Sequence, residues 1–330
     1  MNLSEVNQTD QCLGFACPER SVSTAVYVFL YICAAAVVLL TVFGNLLIII
    51  SVCHFKQLHT PTNMLILSLA VSDFLVGALV MPTALAWMIE SCWIFDTCYC
   101  LIYILTSYFL TTTSIFNVAL ISADRYFALS NPFLYTDTVS VSTMCIVVLC
   151  NWFMLLFYNI SLQYFNGHFK NLDMCPGVCF LLLDEIWSLV DFLLTFVFPC
   201  AVIIILYGLV FVLVRKHATA IRDLKVHTRD HTSANTTDSM KSERKAAKVL
   251  GILVSVFLAC LLPYFMYTVL VNAVDIKVGS FQTVLMLVYL NSAFNPVIYA
   301  LFYPWFRRCV KITLTLQIFN TDSALINVLS

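Results

Sequence analysis

CLIYILTSYFLTTTSIFNVALISADRYFALSNP, residues Cys100 to Pro132, carries no charge, proline or glycine between Tyr103 and Ala123. Such a run reads as a membrane-spanning helix. At about 1.5 Å per residue, Cys100 to Arg125 covers on the order of 37 Å, enough to reach both faces of a bilayer. The cysteine end is then outside, where a disulfide can form, and the Asp124-Arg125-Tyr126 end is cytoplasmic.

Composition extends this reading to the whole chain. Of 330 residues 61% are hydrophobic and 11% charged, with mean hydropathy +0.93, which excludes a soluble domain of this length. Seven apolar segments, spans 1 to 7, follow at roughly 22–53, 63–89, 100–129, 142–164, 185–215, 244–274 and 280–303. The expected fold is an all-α membrane protein, a seven-transmembrane helix bundle with a short amphipathic C-terminal helix. All Lys and Arg except Arg20, Lys170 and Lys277 fall in segments assigned to the cytoplasm, which places the N-terminus outside. Residues 1–21 form a polar extracellular tail without the basic-then-apolar layout of a cleavable signal, so span 1 is expected to direct insertion. Asn2-Leu3-Ser4 and Asn7-Gln8-Thr9 in that tail are glycosylation acceptors. The bundle occupies 22–303, with 217–241 read as a mobile polar cytoplasmic loop. In 304–330, Trp305, Phe306, Cys309, Val310 and Thr313 share one face opposite Arg308 and Lys311, an amphipathic helix on the inner leaflet. Cys309 beside Arg308 is a candidate for palmitoylation. Seven of the fourteen cysteines fall outside (Cys12, Cys17, Cys92, Cys98, Cys100, Cys175, Cys179), and the residues leave their pairing open.

Polar groups within spans are few, and each is costly in lipid. Asp73 in span 2, with Asn45, Ser114, Asn291 and Asn295, either holds a sodium ion or a proton or is a hydrogen-bonded cluster joining helices. Arg125 needs a partner in the closed bundle. Asp124 is adjacent, and Glu243, twenty residues before Pro263, is placed to pair with it from span 6. Such a half-exposed pair is worth about 1 kcal/mol. Pro199, Pro263 and Pro296 each remove a helical hydrogen bond and permit bending. No HExxH, phosphate-cradling glycine loop or internal repeat is present, which argues against an enzyme and against an inverted-repeat transporter. Span 7 has no lysine for a retinal Schiff base.

Gly44-Asn45, Ser68 to Asp73, Asp124-Arg125-Tyr126, Trp152, Pro199 with Tyr207, Phe257 with Cys260 to Pro263, and Asn295-Pro296 with Tyr299 resemble the ordered landmarks of rhodopsin-like G-protein-coupled receptors. NSAFNPVIYALFYPWF, Asn291 to Phe306, is similar to the span-7 motif of trace amine-associated receptors. The resemblance implies a plasma-membrane receptor for a small amine that opens to a heterotrimeric G protein, with membrane lipid as surroundings and no nucleic-acid partner. It further implies olfactory detection through a stimulatory G protein and cyclic AMP. Disulfides Cys100–Cys179 and Cys17–Cys175 are implied as well. A peptide or lipid receptor of the same fold is the alternative.

Two departures stand out. Leu261 occupies the place of the tryptophan that most of these receptors use as a switch. Ser107, 18 residues before Arg125, stands where aminergic receptors place the amine-binding aspartate. Asp191 in span 5, bounded by Leu189, Val190, Phe192, Leu193 and Leu194, is a desolvated carboxylate that a ligand ammonium would compensate; otherwise it ties span 5 to a neighbouring helix. The chain resembles the group of trace amine receptors, many from fish, with an aspartate at this span-5 position and none in span 3. The expected lining is Asp191, Ser107, Tyr108, Thr111, Tyr264, Phe265 and Tyr289, with Trp187 as a lid. Asp184, at i−7 from Asp191, shares its helical face and could hold the second ammonium of a diamine.

Overall fold

The computed structural model describes residues 17, 23–166, 177, 179, 185–227, 249, 251–264, 266–267, 278–320 and 323–328. Among them, six helices are long and apolar enough to cross a membrane, and Gly251–Tyr264 is a shorter apolar helix within span 6. Span 1 is Thr24–His54, span 2 Pro61–Glu90, span 3 Thr97–Ser130, span 4 Val141–Phe165 and span 7 Val278–Phe302. Span 5 runs from Glu185–Phe192 through a π-helical stretch, Leu193–Val197, into Phe198–His227. Spans 2, 3 and 7 are the more buried and spans 1, 4 and 5 turn more of their apolar surface outward, the pattern of a bundle set in lipid.

Span boundaries are set by short local signals. Thr60 caps span 2 by accepting from the Asn63 amide at 3.3 Å, with Pro61 at the first helical position, where a missing N–H costs nothing. Asp96 caps span 3 by accepting from the Tyr99 amide at 2.7 Å, and Ser140 caps span 4. One boundary differs from expectation: the segment read as a loop from 217 begins as helix, because span 5 continues to His227. Lys216 to His227 has no Pro or Gly and several good helix formers, so the ladder extends past the apolar stretch.

Proline disruptions are absorbed in two ways. Pro82 and Pro199 each follow a π-helical stretch, Val76–Val80 and Leu193–Val197, which takes up the lost bond as a local bulge. Pro296 lies inside span 7 and leaves the Ser292 carbonyl without its helical donor. Asn45 supplies the replacement, donating from Nδ2 to Ser292 O at 3.0 Å and to Thr41 O at 3.0 Å. The approach requires Gly44: a Cβ there would lie 2.7 Å from Pro296 Cβ. A second tie joins spans 4, 2 and 3, in which Trp152 Nε1 donates to Ser68 Oγ at 2.9 Å and Ser68 donates to Asn117 Oδ1 at 2.9 Å.

At the Cys100 end of the bundle, Cys100–Cys179 forms as expected, with a Cα separation of 5.7 Å, next to a backbone bridge between Trp93 and Gly177. The second bridge is a correction: Cys17 pairs with Cys92, at a Cα separation of 5.3 Å, and not with Cys175, which lies outside the described residues. The tail is thus tied to the outer end of span 2, a nearer anchor that the spacing of the cysteines could not single out. Inside, the amphipathic helix is Pro304–Leu314. Its buried stripe, Phe306, Cys309 and Ile312, does not rest on lipid alone. Cys309 and Ile312 pack with Phe55 and Leu58 of the first cytoplasmic loop and with Val328.

Gly44→Ala should lower the melting temperature of the solubilised receptor by several degrees, since a proline ring cannot rotate away from the new methyl and overpacking costs roughly 1–3 kcal/mol. A thermal-shift assay against the parent measures it.

Candidate functional site

The outer site is built around Asp191, which sits two residues before the Leu193–Val197 π-helical stretch and is 7% exposed. Tyr158 of span 4 donates its hydroxyl to Asp191 Oδ1 at 2.8 Å, and Thr195 donates to the Asp191 backbone carbonyl at 2.8 Å. Tyr264 of span 6 lies within electrostatic range of the same carboxylate. Across the bundle the Tyr289 hydroxyl meets that of Tyr103 at 3.2 Å and faces Ser107, whose own hydroxyl donates to Ile104 O at 3.0 Å. Asp191, Tyr289 and Ser107 are therefore buried side chains of the outer half, and Tyr264 is partly buried. Tyr108 is half-buried in span 3. The ring of Trp187 stacks on Phe165 at 6.3 Å between centroids, at the outer ends of spans 4 and 5. Phe265 and Asp184 lie outside the described residues. Tyr158 was not anticipated, and its signal in the sequence is slight, a single tyrosine in an apolar span.

Beneath this site a small cavity is lined by Thr111, Ser114, Leu261, Tyr289, Asn291 and Ser292 among others. Leu261 fills less of this space than an indole would. Below it, Asp73 accepts from Ser114 at 3.2 Å and Ser292 at 2.8 Å on Oδ1, and from Asn295 Nδ2 at 2.6 Å on Oδ2. Two members of the expected set sit differently. Asn45 serves the Ser292 carbonyl instead of Asp73, and Asn291 lines the cavity with its buried Oδ1 lacking a partner among the described residues. Ser292 takes the place of Asn45 beside the carboxylate. One carboxylate with the hydroxyls of Ser114 and Ser292 beside it is a set of oxygens that would suit a monovalent cation. Among the described residues no three His, Cys, Asp or Glu side chains converge.

At the cytoplasmic end Arg125 pairs with Asp124 Oδ2 at 2.6 Å through Nη2 and at 3.0 Å through Nε. Arg125 also donates to Thr62, which in turn donates to Asp124 Oδ2 at 2.8 Å, while Tyr135 donates to Asp124 Oδ1 at 2.7 Å. Burial, and then the bond to Asp124, pushes the Tyr135 phenol up from its usual value. Thr62 and Tyr135 are additions to the residues expected here. Glu243 lies outside the described residues. Tyr126 is half-buried. Tyr299 is buried against Tyr303 and Phe306, with Tyr303 the ring within electrostatic range of Arg125. Tyr207 rests on span 6, where a Cβ on Gly251 would come within 2.7 Å of its Cζ.

A bundle of apolar helices with a few polar side chains enclosed in its outer half, and a buried Asp124 paired with a partly buried Arg125 at its other end, is a seven-transmembrane receptor, and the family described as 7 transmembrane receptor (rhodopsin family) matches residues 44–299. The chain is 37% identical over 314 residues to trace amine-associated receptor 13c of Danio rerio, covering 93% of this chain and 91% of that receptor. It is 37% identical over 329 residues to trace amine-associated receptor 6 of Homo sapiens, covering 96% and 93%. With trace amine-associated receptor 9 of Mus musculus it shares 39% over 302 residues, covering 88% and 86%. The chain belongs to the trace amine-associated receptors, within the rhodopsin family; it is a multi-pass membrane receptor and not an enzyme.

The buried Cys309 carries a prediction about reactivity. Burial pushes its thiol up to about 11, so roughly one part in a thousand is thiolate at pH 8. In native detergent-solubilised receptor at pH 8 a water-soluble maleimide should label the exposed Cys98 and leave Cys309 unmodified until the protein is denatured. Mass spectrometry of the digested protein reads both sites. The same enclosure argues against palmitoylation of Cys309 in this arrangement.

Proposed function

We propose that this receptor detects small protonated amines, anchored by Asp191, and signals through a stimulatory G protein and cyclic AMP at the plasma membrane, with an olfactory role. The observation that carries the reading is the carboxylate of Asp191, buried in the outer half of the bundle with a neutral hydroxyl as its hydrogen-bond donor among the described residues. No Lys or Arg falls in the outer half of any span. A ligand ammonium at about 4 Å would gain on the order of 4 kcal/mol at an effective dielectric near 20, enough to decide binding. The nitrogen sits against span 5, and the apolar part of the ligand points towards Ser107 and Tyr289, with Tyr264 as an aromatic wall. The names of the relatives, all trace amine-associated receptors, support the ligand class.

Activation is a population shift: the amine binds the open bundle more tightly than the closed one. In the closed state Asp124, Thr62 and Tyr135 hold the Arg125 region on spans 2 and 3, and Glu243 adds a weak tie to span 6. A sodium ion at Asp73, Ser114, Ser292 and Asn291 would add charge compensation to that state. The tail is outside, where Asn2 and Asn7 accept glycans.

Asp191→Asn keeps size and removes charge, and should abolish the cyclic AMP response to an activating amine at unchanged surface expression. Ser107→Ala should shift the response less than about tenfold, the effect of one neutral hydrogen bond. A dose-response series decides between them: an Asp191→Asn receptor that responds like the parent beside a silent Ser107→Ala would move the anchor to span 3. Separately, Glu243→Ala should raise basal cyclic AMP at equal surface expression, and an unchanged baseline would remove Glu243 from the closed-state contacts.

A further inference from the structure

Asp191 is carried by span 5, but its carboxylate is held from span 4. Tyr158 reaches it at 2.8 Å. The position of Tyr158 is in turn fixed by its neighbour: Asn159 donates from Nδ2 to the Leu105 carbonyl of span 3 at 3.2 Å, two residues from Ser107. The turn of span 4 that bears Tyr158 is thereby registered against the turn of span 3 that bears Ser107. Span 5 supplies less order at this level. Its ladder widens into the Leu193–Val197 π-helical stretch immediately below, and Thr195 steadies only the backbone of Asp191. The aspartate side chain keeps two torsions of its own, and the residues flanking it in sequence are apolar.

We propose that Tyr158 is a positioning residue for the amine anchor: its hydroxyl fixes Oδ1 so that Oδ2, which accepts from no described residue, stays directed into the bundle for the ligand cation. The proposal rests on the amine reading above and adds span 4 to the site. A carboxylate accepts several hydrogen bonds at once, so the tyrosine and the ammonium are both accommodated. Fixing the acceptor before the ligand arrives removes an ordering cost from binding, and this cost falls on affinity instead of on the maximal response.

The test uses the full receptor with 2-phenylethylamine, isoamylamine and cadaverine as probes, reading cyclic AMP against surface expression. Tyr158→Phe should raise the half-maximal concentration of the activating probes about tenfold and leave the maximum unchanged. A second arm moves the carboxylate away from Tyr158. In the receptor carrying Asp191→Asn with Ser107→Asp, adding Tyr158→Phe should change the half-maximal concentration less than about twofold. A tenfold loss there as well would make Tyr158 a packing residue and overturn the proposal. Tyr158→Phe behaving like the parent beside a silent Asp191→Asn sinks the role of Tyr158 and spares the anchor. An Asp191→Asn receptor that responds normally, or a parent silent to all three probes, sinks the anchor and this inference together.

Discussion

The hydrogen bond from Asn45 to the Ser292 carbonyl is the contact on which the centre of the bundle depends. Proline at 296 removes the donor that carbonyl would have had, and in lipid no water replaces it. The side chain of span 1 does so, and the absence of a Cβ at Gly44 lets the two helices approach closely enough for it. With span 7 held in that register, the hydroxyl of Ser292 and the amide of Asn295 are presented to Asp73. A mid-membrane carboxylate that would be prohibitive alone thus becomes the meeting point of spans 2, 3 and 7.

Hydrogen bonding of buried carboxylates organises the two ends as well. At the Arg125 end it produces a compact set in which Asp124 is shared by Arg125, Thr62 and Tyr135, so among the described residues the arginine is paired within its own helix and hydrogen-bonded to span 2. At the outer end the set is smaller. Asp191 has a tyrosine hydroxyl and no fixed positive charge beside it among the described residues, and this is the feature on which the proposed amine anchor rests. Between them, the cavity beside Leu261 separates the outer site from the Asp73 cluster by a few side chains.

The chain's own residues made much of this legible. The seven spans and the buried carboxylates at 73 and 191 follow from where charge and apolarity fall along the sequence. Other parts were not legible. Cys17 finds Cys92, Trp187 lies on Phe165, Asn45 serves a carbonyl instead of the Asp73 cluster, and the cytoplasmic helix of span 5 outlasts its apolar stretch.

The division has a physical origin. Membrane insertion is decided locally, because a window of about twenty residues carries its transfer free energy whatever surrounds it, and so topology is written in the order of residues. Partnership is decided between helices. Whether Asp191 meets Tyr158, or Asp124 meets Tyr135, depends on rotation and depth set by packing between segments dozens of residues apart or across a turn, and a hydrogen bond is lost within an ångström of displacement. The sequence by itself determined that this is a seven-span receptor with a carboxylate buried in span 5; the tertiary structure decided which side chain holds that carboxylate, because only the folded bundle brings span 4 beside it.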